Sequence, residues 1–438
     1  MKEFKRLWAI SLVVKLILAA LIPLSADEAY YWVWSHKLQL SYFDHPPMVA
    51  WIFYLGHFLE PLGHAVRWPA VILGHLTLLV GVDLIRHHLS WDKTRMWVYL
   101  VLFSPLLGFG SLVVTPDLPV VFFWTLSIWC SLRALRSGKA LDYAAFGAAL
   151  GLGFCAKYHI VLFLPAFFLY LIFEKKYKEV RWSLVPLTIL IGLLFCAPVL
   201  IWNYQNDFAS FTFQLKHGLE RESYNPEWTI SYIAGQLIIL FPLAVWAALR
   251  VRSLPELRWA AYFAFTPLVF FFLTSFRALV EANWPIIAYP AFLVIAIQYP
   301  RMRSWQRYYI GFYASIIGLV LGTLWIPALR NLNTKVSEPY EFQMLANETK
   351  DYSPLYASSY QMASSLWYFS KVPVFKLKDI SRFDFFDTLP EAIPSAEVFY
   401  LVKRENNGLP SWISQEQWAG QIVKKIEPDY VLMEFKKQ

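Results

Sequence analysis

Asp27-Glu28 stands just beyond the first long apolar run, Leu7 to Leu24, and is followed at once by Ala29-Tyr30-Tyr31-Trp32. Further along comes Tyr42-Phe43-Asp44-His45-Pro46-Pro47. Carboxylates at a membrane surface, framed by aromatics and a rigid Pro-Pro, are suited to general-base chemistry there. The plainer alternative is a solvated loop whose aromatics form an interfacial belt. Other ionisable residues recur at the same kind of place, in turns between apolar runs. Thr115-Pro116-Asp117 is one such turn and Ala156-Lys157-Tyr158 another. Lys216, His217, Glu220 and Arg221 share one longer loop; Arg277, Glu281 and Asn283 share the next. Lysine and arginine supply counter-charges for a phosphate, and a carboxylate supplies a base. Acids and bases gathered on one membrane face suit a reaction on a phosphate-linked lipid, its tail in the bilayer and its head among these loops.

Each element also has a structural reading. Asp117, between Pro116 and Pro119, is placed to cap a helix, and Lys157 is placed to snorkel to the interface. His57, His64 and His75 suit packing or interfacial roles, and His87-His88 a solvated one. Asp44 and His217, with His45 and Glu220, offer ligands for a divalent ion, but no metal spacing connects them. No other cofactor is indicated: there is neither a phosphate-cradling G-x-x-x-x-G-K-[ST] nor a dinucleotide-binding G-x-G-x-x-G.

The elements that must position these residues are membrane helices. Of 438 residues, 58% are apolar, 18% aromatic and only 16% charged, which is a membrane composition. The net charge of +8 does not point to nucleic acid, because the basic residues fall in short clusters between apolar runs. Cys130, Cys155 and Cys196 all lie inside apolar runs and form no metal or disulfide pattern. Runs of roughly 17 to 22 residues cross a hydrocarbon core of about 30 Å as helices. Such runs fall near 7–24, 67–86, 96–114, 118–135, 142–156, 158–173, 183–203, 229–249, 258–276, 283–299 and 307–327. The expected fold is therefore an α-helical polytopic membrane protein of about 11 transmembrane helices. Alternate junctions carry the Lys/Arg clusters, which puts the N-terminus inside and the acidic turns outside. Residues 25–66 and 204–228 are the long outward loops, with Met48–Leu62 lying along the surface. From 329 to 438 the composition is that of a soluble segment, expected to form a small α/β extracytoplasmic domain beside the 1–328 membrane domain. Its strand-like stretches are Pro354–Tyr360, Glu397–Lys403 and Val431–Phe435, with a helix over Gln361–Phe369.

Taken together, Asp27-Glu28-Ala29-Tyr30-Tyr31, Tyr42-Phe43-Asp44-His45-Pro46-Pro47, Arg67-Trp68-Pro69, Thr115-Pro116-Asp117, Ala156-Lys157-Tyr158 and Asn283-Trp284-Pro285 carry a family resemblance. The chain resembles the polytopic glycosyltransferases that use polyprenyl-phosphate sugars. These are the dolichyl-phosphate-mannose protein mannosyltransferase-like family and its bacterial relatives that put aminoarabinose on lipid A. The resemblance covers the membrane part of the chain. It implies a GT-C fold and an inverting transfer from a lipid monophosphate sugar to lipid A, a glycan or a protein. It also implies a bacterial inner membrane with a periplasmic active face. Asp27 then matches the essential acid after the first span, Glu28 its neighbour, and Asp117 the acid after the third span. Lys157 matches a lysine near the donor phosphate, with Lys216 and Arg277 as further cations. His45 falls where relatives often carry a lysine, and His217 where some have a histidine near a metal. A transporter or flippase for a polyprenyl lipid is the competing class; it is expected to show inverted repeats and broken helices near the midplane, and neither is visible in the sequence.

Overall fold

The structure, a computed structural model, describes residues 2–219, 224–330, 334–416 and 418–438, and at 217–219 the backbone alone. In chain order the helices are α1 (Lys2–Leu21), α2 (Ala26–His36), α3 (Met48–Gly56), α4 (Trp68–Ile85), α5 (Trp91–Phe103), α6 (Asp117–Ser137), α7 (Ala140–Ala156) and α8 (Phe163–Phe173). There follow α9 (Val185–Gln205), α10 (Ala209–Leu219), α11 (Pro226–Leu240), α12 (Pro242–Arg250), α13 (Trp259–Thr274), α14 (Tyr289–Ala296) and α15 (Met302–Gly322). Then come α16 (Pro327–Arg330), α17 (Thr334–Thr349) and α18 (Tyr360–Ser370). The chain divides into two compact units: residues 1–20, 40–49 and 58–321 form the first, and residues 21–39, 50–57 and 322–438 the second.

Each expected span of the helical unit coincides with helical chain. Among the described residues four segments are long and apolar enough to cross a membrane, Met48–Ile85 (kinked at Leu62-Gly63), Asp117–Ser137, Trp182–Gln205 and Pro255–Thr274, or up to seven if each bent helix pair is one span, against the roughly 11 expected. Others are broken at identifiable residues. Pro105 forces Ser104 into extended backbone, and the chain bends by 70° between Trp91–Phe103 and Pro105–Leu112. Pro242 ends α11, with a 90° bend into α12. After α6, Gly138 takes the left-handed conformation at φ +60 and its N–H caps Ala134, which turns the chain into α7. α7 and α9 approach until backbone meets backbone. A Cβ built on Gly151 would lie 2.5 Å from the Gly192 carbonyl oxygen, and one on Gly147 2.3 Å from that of Thr188. Small residues allow this contact, which in lipid replaces the hydrophobic driving force between helices.

The second unit is built on a five-stranded sheet of order β2-β1-β3-β5-β4, with β1 (Leu355–Ala357), β2 (Val374–Lys376), β3 (Val398–Arg404), β4 (Trp418–Ile426) and β5 (Tyr430–Lys437). β1 pairs in parallel with β2 and β3, while β5 is antiparallel to β3 and β4. Its core includes Tyr356, Leu401, Phe399 and Phe435, the last two stacked at 4.9 Å. The sheet includes the three expected strands; β2 and β4 are additions. On α18's side the unit takes in α2, an element from the other end of the chain. Trp32 packs against Trp367 and Tyr368, and Tyr30 against Tyr360 and Phe386. The aromatics after Asp27 are therefore no interfacial belt: Tyr30, Trp32 and Trp34 are each at most 2% exposed. They are the inner face of a helix that belongs to the sheet-bearing unit.

Candidate active site

In the helical unit the acidic turn before α6 and the basic turn after α7 meet. Lys157 Nζ donates to Asp117 Oδ1 at 2.6 Å, and Asn283 Nδ2 donates to Asp117 Oδ2 at 2.6 Å. Asp117 is 5% exposed and Lys157 7%. Both structural readings of these residues fail. Asp117 is the first residue of α6 but makes no capping hydrogen bond; Lys157 is buried and ion-paired, with no snorkel to the surface. Asp117 accepts one hydrogen bond on each oxygen, and among the described residues Lys157 uses one of its three donors on it, which leaves two donors for an incoming anion.

The elements around the pair fix it. Lys157 breaks α7 in extended backbone, so its side chain leaves the helix direction. The next residue, Tyr158, hydrogen-bonds Ser210 on α10 at 2.8 Å. α10 also holds the 40–49 loop: Gln214 Nε2 donates to the Asp44 carbonyl at 2.6 Å, and Phe213 packs on Phe43 at 4.7 Å. His159 packs against Phe271 and Trp284. Asp44 is 4% exposed, His45 half-buried. Lys216 sits exposed on α10, and Arg277 is exposed just after α13. The His217 side chain, Glu220 and Arg221 lie outside the described residues, and with them the expected Asp44–His217 metal pair.

In the sheet-bearing unit the Asp27-Glu28 pair splits into two environments. Glu28 is fully buried and closes a capping box on α2: Ser25 N–H and Oγ–H donate to Glu28 Oε2 at 3.0 and 3.1 Å, and the Glu28 N–H donates to Ser25 Oγ at 3.3 Å. Asp27, one residue before it, is half-buried, and its Oδ1 accepts from Tyr360 Oη at 3.4 Å. Burial raises the Glu338 carboxyl above its ordinary range, with Lys335 opposing and the charge of Asp27 adding to the rise.

Three residues escaped the sequence reading or were undervalued by it. Asn283 stood in a motif, but its role is to fill the second oxygen of Asp117. His159, beside Lys157, was not singled out. Lys15 is a third: it sits mid-helix in α1, 9% exposed, donating to Ser111 Oγ at 2.7 Å, and it lines with Asp117 a small cavity of about 40 Å³. A lone lysine inside an apolar run is the signal that could have found it.

Residues 44–202 match the family model described as dolichyl-phosphate-mannose-protein mannosyltransferase. The solved ArnT from Cupriavidus metallidurans in the apo state superposes with a TM-score of 0.71 at 15% identity, over 99% of this chain and 98% of that one. The same protein bound to undecaprenyl phosphate gives 0.67 over the same shares. The chain is similar to the GT-C aminoarabinose transferase-like glycosyltransferases. Its fold is the GT-C fold with a small C-terminal sheet-bearing unit. Among the curated relatives of this family, the lipid A galacturonosyltransferase RgtD of Rhizobium johnstonii is 25% identical over 289 residues, 62% of this chain and 59% of that one. The undecaprenyl phosphate-alpha-4-amino-4-deoxy-L-arabinose arabinosyl transferase of Edwardsiella ictaluri is 27% identical over 237 residues, 51% of this chain and 42% of that one. The chain thus spans about half the length of the curated relatives it matches.

Proposed function

We propose that the protein is an inverting glycosyltransferase that moves a sugar from a polyprenyl-phosphate carrier to lipid A, at the periplasmic face of the inner membrane. The observation that carries this reading is the buried Asp117–Lys157 pair, oriented by Asn283. An ammonium held in a low-dielectric site by a carboxylate that Asn283 also orients is preorganised for a second anion, and preorganised charge stabilisation is usually the largest catalytic term. Polyprenyl phosphate supplies that anion, and the undecaprenyl-phosphate and lipid A named for the relatives supply the substrate class.

In the proposed step the acceptor oxygen attacks the anomeric carbon while the bond from that carbon to the phosphate oxygen breaks. The phosphate leaves on its lipid, its new charge balanced by Lys157, with His45, Lys216 and Arg277 as outer cations. A hydroxyl acceptor gives its proton to Asp27. A phosphate acceptor is already an anion, and Asp27 then only aligns it. One displacement inverts the anomeric configuration and needs no second carboxylate as nucleophile. We assign Glu28 to holding the first turn of α2, not to proton transfer, because its oxygen is committed to Ser25.

The test is mass spectrometry of lipid A from cells with the gene, without it, and with Asp27→Asn in its place. A sugar increment present only with the wild-type gene is the expected result. Identical lipid A in all three strains removes lipid A as acceptor. Translocation of the lipid-linked sugar without transfer, in proteoliposomes, removes the enzyme reading altogether.

A further inference from the structure

Asp27 does not stand alone in its unit, and its neighbours come from the C-terminal part of the chain. Tyr360 is the hydrogen-bond partner of the Asp27 carboxylate among the described residues, at 3.4 Å. The Tyr360 ring is itself gripped on two sides. Tyr30 packs on it at 4.4 Å, and the Arg382 guanidinium lies over it at 4.7 Å.

The loop that delivers Arg382 is held by a buried charge cage. Lys376 is fully buried and donates to the Arg382 carbonyl at 2.7 Å, to Asp384 Oδ2 at 2.7 Å, and to Asp387. Next to it the Phe385 N–H donates to Tyr30 Oη at 2.9 Å, and Phe386 packs on the same ring at 6.0 Å. A buried ion cluster is poor evidence for stability, since apolar residues of equal volume do as well; what it provides is a fixed geometry. Here the geometry fixed is that of the loop and, through Arg382 and Tyr30, that of Tyr360.

We infer that Tyr360 is a positioning residue for Asp27, so that the C-terminal part of the chain acts on the acid of α2 within the same unit. The inference rests on the reading of Asp27 as the acceptor-side carboxylate. An aspartate has few constraints on its carboxyl plane, and a single donated hydrogen bond from a clamped phenol selects one orientation. Partners of this kind set how well a reacting group is aimed, and alignment errors of about 1 Å carry large rate losses.

Tyr360→Phe tests this in the full-length purified protein with a polyprenyl-phosphate sugar donor. The variant keeps the ring between Tyr30 and Arg382 and removes one hydroxyl. The expected result is a fall in kcat of about 5- to 10-fold, the scale of one ordinary hydrogen bond, with the KM for donor within about twofold and the thermal midpoint unchanged. Tyr400→Phe, which removes a hydroxyl bonded to Glu434 on the sheet, is the control and retains wild-type turnover. Wild-type kcat in Tyr360→Phe, or a loss confined to KM, overturns the inference. Asp27→Asn is assayed alongside. If Asp27→Asn is inactive and Tyr360→Phe is normal, only the positioning role falls; if Asp27→Asn turns over normally, the reading of Asp27 itself falls.

Discussion

Asp117 and Lys157, forty positions apart, meet at 2.6 Å with both side chains almost wholly out of solvent. Breaking such a pair from one side leaves the other charge buried and uncompensated, a penalty of about 3–5 kcal/mol. Removing both charges together does not carry that penalty. Lys157→Met and Asp117→Leu are therefore each expected to lower the thermal midpoint, and the double variant to recover most of the loss. Sugar transfer is expected to stay absent in all three, because the phosphate partner is gone or misplaced. A double variant no more stable than either single one would show that the pair acts separately.

Asn283 is the second donor to Asp117, through its side-chain amide N–H. Asn283→Asp would set two carboxylates in hydrogen-bond contact, while Asn283→Ala only leaves one oxygen without a donor. The alanine variant is expected to lose about 1–3 kcal/mol of stability and to slow transfer about tenfold. The aspartate variant is expected to do worse on both counts, with turnover and thermal unfolding as the readouts. Equal effects would mean that Asn283 contributes by volume rather than by its amide.

Packing in the helical unit makes a separate prediction. Gly151 faces the Gly192 backbone so closely that any side chain must push α7 from α9. Gly151→Leu is expected to cost more than about 3 kcal/mol, at the upper end of overpacking effects, and to reduce the yield of folded protein. Gly311→Leu is the comparison: a Cβ there meets nothing within 4 Å, and its thermal midpoint is expected to move little. Size-exclusion profiles in detergent that rank the two variants the other way would refute the close-approach account.

The helices of the first unit were legible because apolar run length is a local signal. Asp117 and Lys157 were each visible as ionisable residues in turns, and their pairing was not, since nothing in a single sequence joins positions 40 apart in different turns. The same holds more strongly for Asn283, 166 residues from its acceptor. The packing of the α2 aromatics was hidden for a similar reason. Tyr30, Trp32 and Trp34 have the types of an interfacial belt, and their burial comes from Tyr360, Trp367 and Phe386, more than three hundred residues later. Lys15 was passed over because one cation scarcely alters the hydropathy of a long run. Of the sheet, β1, β3 and β5 carry buried β-formers, whereas β4 is an edge strand with Gly420 and Lys425 on exposed positions and Lys424 half-buried.

The Lys376 cage predicts how the sheet-bearing unit responds to acid. Two carboxylates, Asp384 and Asp387, share one buried ammonium, so the cluster carries one negative charge too many when both are ionised. Burial, opposed by Lys376 and reinforced by Asp387, pushes the Asp384 carboxyl up to about 6. In the unfolded chain the same group titrates near an ordinary aspartate value of about 4. Between those values the folded protein binds more protons than the unfolded one, so stability falls as pH rises. The stabilising contribution is fully present below about pH 4 and is lost on passing through about 6. Asp384→Asn holds a neutral group there at every pH. The difference in thermal midpoint between wild type and Asp384→Asn is therefore expected to shift against the wild type from pH 4 to pH 7, and to be level above that. A difference that does not change with pH would mean that Lys376 neutralises the cluster completely and that no extra proton is held.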